Sequence, residues 1–216
     1  MSTKEMTHKR ASMALWGGVL CIALLVGSIV YQQWETHPSM ESLHGTWIAP
    51  ARTISSFKLK STNQTPFTNE QLQGQWTWLF FGFTTCPQLC PTTMAKLAKA
   101  YQELKQKGVK PLPHIVMVTL DPTEDSLEKL KHYVHSFDVD FEGARGSDKQ
   151  VQSLARELGI AYMEMPGNMT NGKQNKSIEH TGAVMVVNTA GNLQAFFNAP
   201  FSVAELVDNH QLLIHK

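Results

Sequence analysis

The chain has 216 residues, of which 42% are hydrophobic, and a formal net charge of +1. This length fits one domain with a single packed core plus an additional segment. After residue 33 the sequence has sixteen Lys plus Arg against seventeen Asp plus Glu, with no basic stripe. Nucleic acid is therefore excluded as an expected partner.

An apolar segment without any charged residue runs from Ala11 to Gln33. It is long enough to cross the roughly 30 Å hydrocarbon layer of a membrane as one helix. Lys4, Lys9 and Arg10 precede it. The positive-inside rule therefore predicts a cytoplasmic tail over residues 1–10, a transmembrane anchor over residues 11–33 and export of the remaining chain.

A cleaved signal peptide is the alternative, because a basic start and an apolar run describe both. No small-x-small cleavage site follows soon after Tyr31, and the run is longer than a typical signal core, so we expect an uncleaved anchor. Cys21 follows Leu20 rather than the small residue that lipid attachment needs, and we interpret it as a packing residue. The predicted location is a single pass through an inner membrane, with a periplasmic functional domain. A mitochondrial membrane is less favoured, because the sequence lacks an Arg- and Ser-rich transit peptide.

The first half of the exported part begins with an irregular stretch. Residues 34–50 mix Pro, Gly, Ser and His without periodicity and predict a tether, which leaves residues 51–216 for the domain. A short strand is expected at Ile54–Lys58. The almost continuous apolar run Trp76–Phe83 is typical of a strand buried on both faces at the centre of an α/β sheet. A helix is expected to begin at Pro91, since proline suits a first helical position, and to end at Gly108.

The second half alternates strands and helices. Asp125 with Glu128 predicts a capping box for a helix, and the polar stretch Pro166–Glu179 predicts a flexible loop that ends at His180. The remaining expected elements are the strands Ile115–Leu120, Ala161–Met165, Ala183–Asn188 and Leu193–Phe197, and helices from Ser147 to Gly159 and from Ser202 onward. The order β-β-α-β-α-α-β-β-β-α predicts an α/β domain.

Cys86 and Cys90 are the only cysteines beyond the apolar segment, and they lie between the buried strand and the helix. A helix N-terminus favours thiolate over thiol, which makes sulfur a better nucleophile and a better metal ligand. A structural disulfide over so short a loop would restrict the unfolded chain very little. The pair therefore indicates redox or metal chemistry.

His180 is the imidazole best placed to join the two thiols, because the preceding loop could bring it over them. Two thiolates and an imidazole form a donor set for copper, since thiolate suits Cu(I) and imidazole suits both oxidation states. On the residues alone, His180 is either a ligand or an ordinary loop histidine. His132 and His135 lie off the apolar stripe of their helix and are more typical of solvated surface. A structural zinc site is disfavoured, because it needs four ligands.

Three motifs occur together in this chain. They are Phe81-Gly82-Phe83-Thr84-Thr85-Cys86-Pro87 with Cys90-Pro91, Val118-Thr119-Leu120-Asp121-Pro122 leading to Asp125-Ser126, and Glu179-His180-Thr181. In this order they resemble the Sco/SenC family of membrane-anchored copper chaperones, from about residue 57 to the C-terminus. The resemblance implies a thioredoxin-like domain with a central mixed sheet flanked by helices.

The resemblance also implies a function and a set of site residues. Cys86, Cys90 and His180 would be the ligands of Cu(I) or Cu(II), and Asp121 would match an acidic neighbour of the family's site. The copper would go to the dinuclear copper site of cytochrome c oxidase or to another cuproprotein, and an upstream copper donor or thiol reductant would serve this chain. Gln88 and Thr92 replace acidic residues that family members commonly carry, which makes the site less negative and less suited to Cu(II) than to Cu(I).

A thiol-disulfide oxidoreductase that reduces a partner's cysteines is the alternative function. Oxidoreductases of the thioredoxin fold use Cys-x-x-Cys and a cis-proline before the strand that faces the thiols. Here the spacing is one residue longer, and His180-Thr181-Gly182 contains no proline. Metal handling is therefore favoured, with a redox-active cysteine pair in a protein that need not be an enzyme.

Overall fold

The computed structural model describes residues 26–28, 45–170 and 173–214. The chain divides into two compact units, Met1–Ser42 and Leu43–Lys216. The predicted cytoplasmic tail, nearly all of the predicted anchor and residues 34–44 of the predicted tether lie outside the described residues. Within the described ranges, no helix has both the length and the apolar character needed to cross a membrane.

The second unit consists of strands and helices that alternate along most of its length. The strands are β1 (Thr46–Thr53), β2 (Lys58–Ser61), β3 (Pro66–Thr68), β4 (Thr77–Gly82), β5 (His114–Thr119), β6 (Glu142–Arg145), β7 (Tyr162–Thr170), β8 (Lys173–His180), β9 (Val184–Val187) and β10 (Asn192–Phe197). The α-helices are α1 (Leu89–Gln106), α2 (Leu127–His135), α3 (Asp148–Leu158) and α4 (Val203–Ile214), and Asn69–Leu72 forms a 3₁₀ turn.

A mixed sheet of eight strands forms the centre of the domain, in the order β1-β10-β9-β4-β5-β6-β2-β3. Strands β4, β5 and β6 are parallel, and the other pairs are antiparallel. All six residues of β4 are buried, as the continuous apolar run predicts. The predicted α/β class with a central mixed sheet is confirmed.

The carboxyl ends of β4, β5 and β6 lie at one edge of the sheet, because the three strands are parallel. The loop after β4 carries the two cysteines, and the loop after β5 carries Asp121 and Asp125. The cysteine loop and the acidic loop therefore lie at the same edge of the sheet, which is where open α/β sheets usually bind their ligands.

The domain begins earlier than the sequence predicts. Strand β1 covers Thr46–Thr53 and pairs antiparallel with β10, so the end of the predicted tether over residues 34–50 belongs to the sheet. The sequence pattern does not indicate this strand, because its centre is Ala49-Pro50-Ala51 and proline is not typical of strands. Strand β1 is an edge strand, and an edge is where a sheet tolerates proline.

Two helix starts also differ from the prediction. Helix α1 begins at Leu89, two residues before Pro91, so Cys90 lies within its first turn. The N-cap of α2 is Ser126, whose hydroxyl accepts a hydrogen bond from the Lys129 N–H, and the predicted cap by Asp125 is wrong. The side chain of Asp125 is thereby available to other partners.

The predicted flexible loop over Pro166–Glu179 is wrong. Strands β7 and β8 form a separate two-stranded antiparallel sheet that contains most of it, with Tyr162 opposite His180 at its base. Few apolar residues alternate in this stretch, so sequence pattern alone does not reveal the hairpin. The hairpin ends at His180, directly before the short segment that leads into β9.

Candidate metal centre

The cysteine loop is a tight turn between β4 and α1. The Cys86 N–H donates a hydrogen bond to the Phe83 carbonyl, with an N–O distance of 3.3 Å. The Cys90 N–H lies 3.3 Å from Cys86 Sγ, to which it donates. Both cysteines are free thiols, with Cys90 buried and Cys86 half-buried. Gly82 leaves room for Cys90, because a Cβ at Gly82 would lie 2.9 Å from Cys90 Sγ.

His180 is held by the base of the β7–β8 hairpin. Its chain neighbour Thr181 donates from its N–H to the Ala161 carbonyl at 3.1 Å. The imidazole ring packs against Phe80 and Phe83, with ring centroids 6.1 and 5.8 Å away. Backbone pairing and aromatic packing together place the imidazole over the cysteine loop.

The hydrogen bonds of His180 fix which ring nitrogen is available to a metal ion. Nδ1 lies 3.1 Å from the Thr181 carbonyl, which can only accept, so Nδ1 carries the proton. Nε2 is then the unprotonated nitrogen, and it lies 3.3 Å from Cys90 Sγ. Burial lowers the pKa of His180, against the opposing effect of the Thr181 hydrogen bond, and so favours the neutral ring. A neutral imidazole held by its second nitrogen is prepared to bind a metal.

Cys86 Sγ, Cys90 Sγ and a ring nitrogen of His180 all lie within 4.8 Å of one another. In the described part of the chain, no other three His, Cys, Asp or Glu side chains bring their ligand atoms so close. Two sulfurs and one imidazole nitrogen form a soft donor set that fits copper, above all Cu(I). His132 is exposed and His135 half-buried on α2, and neither belongs to this group.

The protonation of Cys90 differs from the prediction. Burial raises the pKa of Cys90, although a hydrogen bond with the Phe83 backbone acts in the opposite direction. The helix N-terminus does not offset the effect of burying Cys90 away from water. Cys90 is therefore a thiol in the metal-free protein, and the prediction of a thiolate is wrong for this residue. A bound metal ion would replace this proton, as thiolate ligation requires.

Asp121 is buried in the turn that follows β5. Its N–H donates to Thr119 Oγ1 at 3.1 Å, and its Oδ1 accepts from the Glu124 N–H at 3.3 Å. These two hydrogen bonds shape the turn. The role of an acidic neighbour of the metal site, which the resemblance gives to Asp121, stays a prediction.

Asp125 is the supporting residue that sequence reasoning missed. Its fully buried carboxylate accepts from the Thr84 N–H at 3.0 Å, from the Thr84 hydroxyl, and from the Thr119 hydroxyl at 2.6 Å. Thr84 lies two residues before Cys86, so Asp125 ties the cysteine loop to the loop after β5. The sequence did contain a signal for this role. Asp125 and Ser126 are both typical N-cap residues, and a helix uses only one N-cap, so the other residue is available for a different hydrogen bond.

Comparisons with known proteins agree with this geometry. A family model described as SCO1/SenC matches residues 46–215. A relative from Stutzerimonas stutzeri, named as a putative copper-binding protein, is 34% identical over 152 residues, which cover 70% of this chain and 72% of that protein. The mouse protein SCO2 homolog, mitochondrial, is 26% identical over 196 residues, covering 91% of this chain and 74% of that protein.

The fold of the domain is similar to that of a solved structure. The crystal structure of Arabidopsis thaliana ScoI with copper bound superposes with a TM-score of 0.67 and 28% identity, covering 74% of this chain and 97% of that one. The predicted thioredoxin-like fold of the domain is supported by this likeness. On the family model and the sequence identity together, the chain belongs to the SCO1/SenC family.

Proposed function

We propose that this protein binds one copper ion through Cys86, Cys90 and His180 and delivers it to the dinuclear copper site of cytochrome c oxidase. The carrying observation is the grouping of two sulfurs and one imidazole nitrogen within 4.8 Å. Copper is cargo here, and the protein's contribution is to hold it in a form that a partner can take.

The exposure of the ligands supports transfer as well as binding. Cys86 and His180 are half-buried, whereas Cys90 is buried. A partner's ligand can therefore reach the ion from the side of Cys86 while Cys90 still holds it. Stepwise replacement of ligands avoids release of a free ion to water. Three protein ligands also leave an open coordination position for the incoming group.

The test is a titration of the reduced full-length protein with Cu(I), in competition with a coloured chelator. We expect Cys86→Ser and Cys90→Ser each to weaken Cu(I) binding at least about 100-fold, because loss of a direct ligand exceeds the loss seen for outer partners. His180→Ala should weaken it as well. The exposed histidine variant His132→Ala is the control and should bind normally. Full affinity in His180→Ala would contradict the three-ligand site.

Disulfide reduction is a second candidate, favoured by the pairing of a half-buried Cys86 with a buried Cys90. The Cys86 thiolate would attack a partner disulfide, form a mixed disulfide and release one partner thiolate. Cys90, after losing its proton to water, would then attack Cys86 Sγ and release the second partner thiolate. The two electrons come from the cysteine pair, which ends as a disulfide. A His180→Ala variant that keeps Cu(I) affinity and reduces a model disulfide normally would favour this function.

The proposed location follows from the N-terminal sequence. The apolar segment over residues 11–33 would anchor the chain in an inner membrane, with the tail in the cytoplasm and the copper-binding domain in the periplasm. This location suits a protein that serves an oxidase whose copper site faces the same side of the membrane.

A further inference from the structure

An open groove lies at the same edge of the sheet as the metal centre. It has a volume of about 880 Å³ and is bounded by β2, the end of β6 and the loop after β5. Pro122, which is buried, and Leu127, which is half-buried, give it an apolar floor. Three cations line it, namely Lys58, Lys60 and Arg145. The groove therefore combines an apolar floor with a positive rim.

The residues that line the groove carry more positive than negative charge. Lys60 and Arg145 are direct partners across β2 and β6, and like charges in that position destabilise a pair of strands. Among the side chains that the structure describes, no carboxylate forms an ion pair with Lys58, Lys60 or Arg145. Asp148 is the one acidic residue in the described lining. An excess of positive charge remains for a ligand.

The groove and the metal centre share one loop. Arg145 Nε donates to the Pro122 carbonyl at 3.0 Å, which fixes the arginine against the loop after β5. Asp125, at the end of the same loop, holds Thr84 of the cysteine loop. Adjacent strands are about 4.8 Å apart, so the end of β6 lies roughly 10 Å from the end of β4.

We propose that this groove docks an acidic segment of the protein with which the metal centre exchanges copper. The proposal rests on the proposed function, because the occupant is the copper-exchanging partner. A stable interface covers about 800 Å² on each side, a patch roughly 30 Å across, so a partner that reaches Cys86 is large enough to cover the groove as well. Cationic side chains over an apolar floor match an acidic, partly apolar segment in charge and shape. A concave groove suits a peptide segment better than a flat lipid surface.

The first experiment tests the groove without copper. A fluorescent peptide of alternating Glu and Leu is titrated against the full-length protein in neutral detergent, and its anisotropy is followed. The double variant Lys58→Glu with Lys60→Glu should weaken binding about tenfold or more, since two ion pairs become repulsions. The control is Lys99→Glu with Lys131→Glu, two exposed lysines outside the groove with the same change of net charge. The control and a peptide with Gln for Glu separate docking from general attraction.

Equal weakening in both double variants, or equal binding of the Gln peptide, would overturn the proposal. Absence of peptide binding together with groove-dependent binding of vesicles of anionic lipid would also overturn it, in favour of a membrane surface. A drop in affinity confined to the groove variant, and reduced by added salt, is the supporting result.

The second experiment measures copper transfer to the soluble copper-site domain of an oxidase. In the groove variant we expect an unchanged Cu(I) affinity and a transfer rate about tenfold lower, since Lys58 and Lys60 are not in the metal centre. If the wild-type protein binds no Cu(I), the proposed function fails, and the peptide experiment still decides whether the groove docks acidic segments. An unchanged transfer rate with normal Cu(I) binding overturns the docking proposal alone.

Discussion

Two buried threonines in adjacent strands differ in how their hydroxyl groups are satisfied. Thr77 Oγ1 in β4 has no hydrogen-bond partner among the described residues. Thr119 Oγ1 in β5 donates to Asp125 and accepts from the Asp121 N–H. The two side chains are both fully buried, so they form a matched pair for measuring what these hydrogen bonds contribute.

We expect Thr77→Val to leave the free energy of unfolding unchanged or to raise it, because valine removes an unpaired buried hydroxyl at nearly constant shape. Thr119→Val should lower it by about 1–3 kcal/mol, because a buried carboxylate loses a donor. Urea unfolding of both variants measures the difference. Equal destabilisation of the two would contradict this account.

His210 is a buried histidine that the metal centre does not use. Its Nε2 donates to the Pro111 carbonyl at 2.8 Å, and its ring packs edge-on against Trp78. Burial lowers the pKa of His210, although the Pro111 hydrogen bond opposes this. The unfolded chain therefore takes up a proton more readily than the folded domain does.

The pKa of His210 is lower in the folded domain than in the unfolded chain. Its contribution to the free energy of unfolding is therefore fully present above the unfolded pKa of about 6.5 and is lost as the pH falls below that value. We expect His210→Gln to reduce the loss of unfolding free energy between pH 7.5 and pH 5.5 by up to about 1 kcal/mol. The exposed His132→Gln serves as control and should keep the wild-type loss. Burial lowers the pKa of His180 too, so some dependence on pH should persist in the His210 variant. An unaltered pH dependence in His210→Gln would contradict the assignment.

At the level of elements, the sequence predicts the parts of the fold that are buried on both sides. The strands predicted from the apolar runs of β4 and β5 are found in the structure. The helix predicted from Ser202 onward is found as α4, where Ser202 and Glu205 form a capping box. Burial produces continuous apolar sequence, and a cap needs specific residues at a fixed spacing, so both leave a local pattern.

The elements that sequence pattern misses are edge or short strands. Strand β3 has three residues, and β6 consists of Glu142-Gly143-Ala144-Arg145, which contains no β-branched residue. These segments become strands because a neighbour in the sheet offers its backbone, which a local pattern does not record. The same holds for β8, so the sequence indicates His180 as a candidate while only the hairpin explains its position.

The loops at the carboxyl ends of β4 and β5 depend on one carboxylate. Both oxygens of Asp125 accept hydrogen bonds, and Lys129 Nζ lies 3.4 Å from Oδ1. An amide offers one accepting oxygen, so Asp125→Asn leaves a Thr84 or Thr119 donor without a partner.

We expect Asp125→Asn to lower the free energy of unfolding by about 2–3 kcal/mol and to weaken Cu(I) binding about tenfold. Asp121→Asn is the comparison, since Asp121 lies in the same loop but has hydrogen bonds within its turn. Urea unfolding and chelator competition measure the two effects. A larger loss of Cu(I) affinity in Asp121→Asn would support the role that the family resemblance gives to Asp121.

For the whole molecule, the orientation in the membrane can be tested directly. Alkaline phosphatase becomes active only where disulfides form, which is outside the cytoplasm. A fusion after Lys216 should be active and a fusion after Arg10 inactive in a bacterial host, because the basic tail stays inside. Deletion of residues 1–33 should leave the domain in the cytoplasm and abolish activity of the C-terminal fusion. Equal activity of the two full-length fusions would contradict the predicted topology.

His180 stands 90 residues after Cys90 in the chain, although their side chains meet. A copper ion held between them would fasten the β7–β8 hairpin to the start of α1, two regions that drift apart when the chain opens. The loaded carrier should therefore resist proteases that cut opened chains, whereas the empty carrier is cut faster. When copper is scarce, more of the protein would be copper-free and would be degraded faster. The amount of this protein would then follow the amount of available copper.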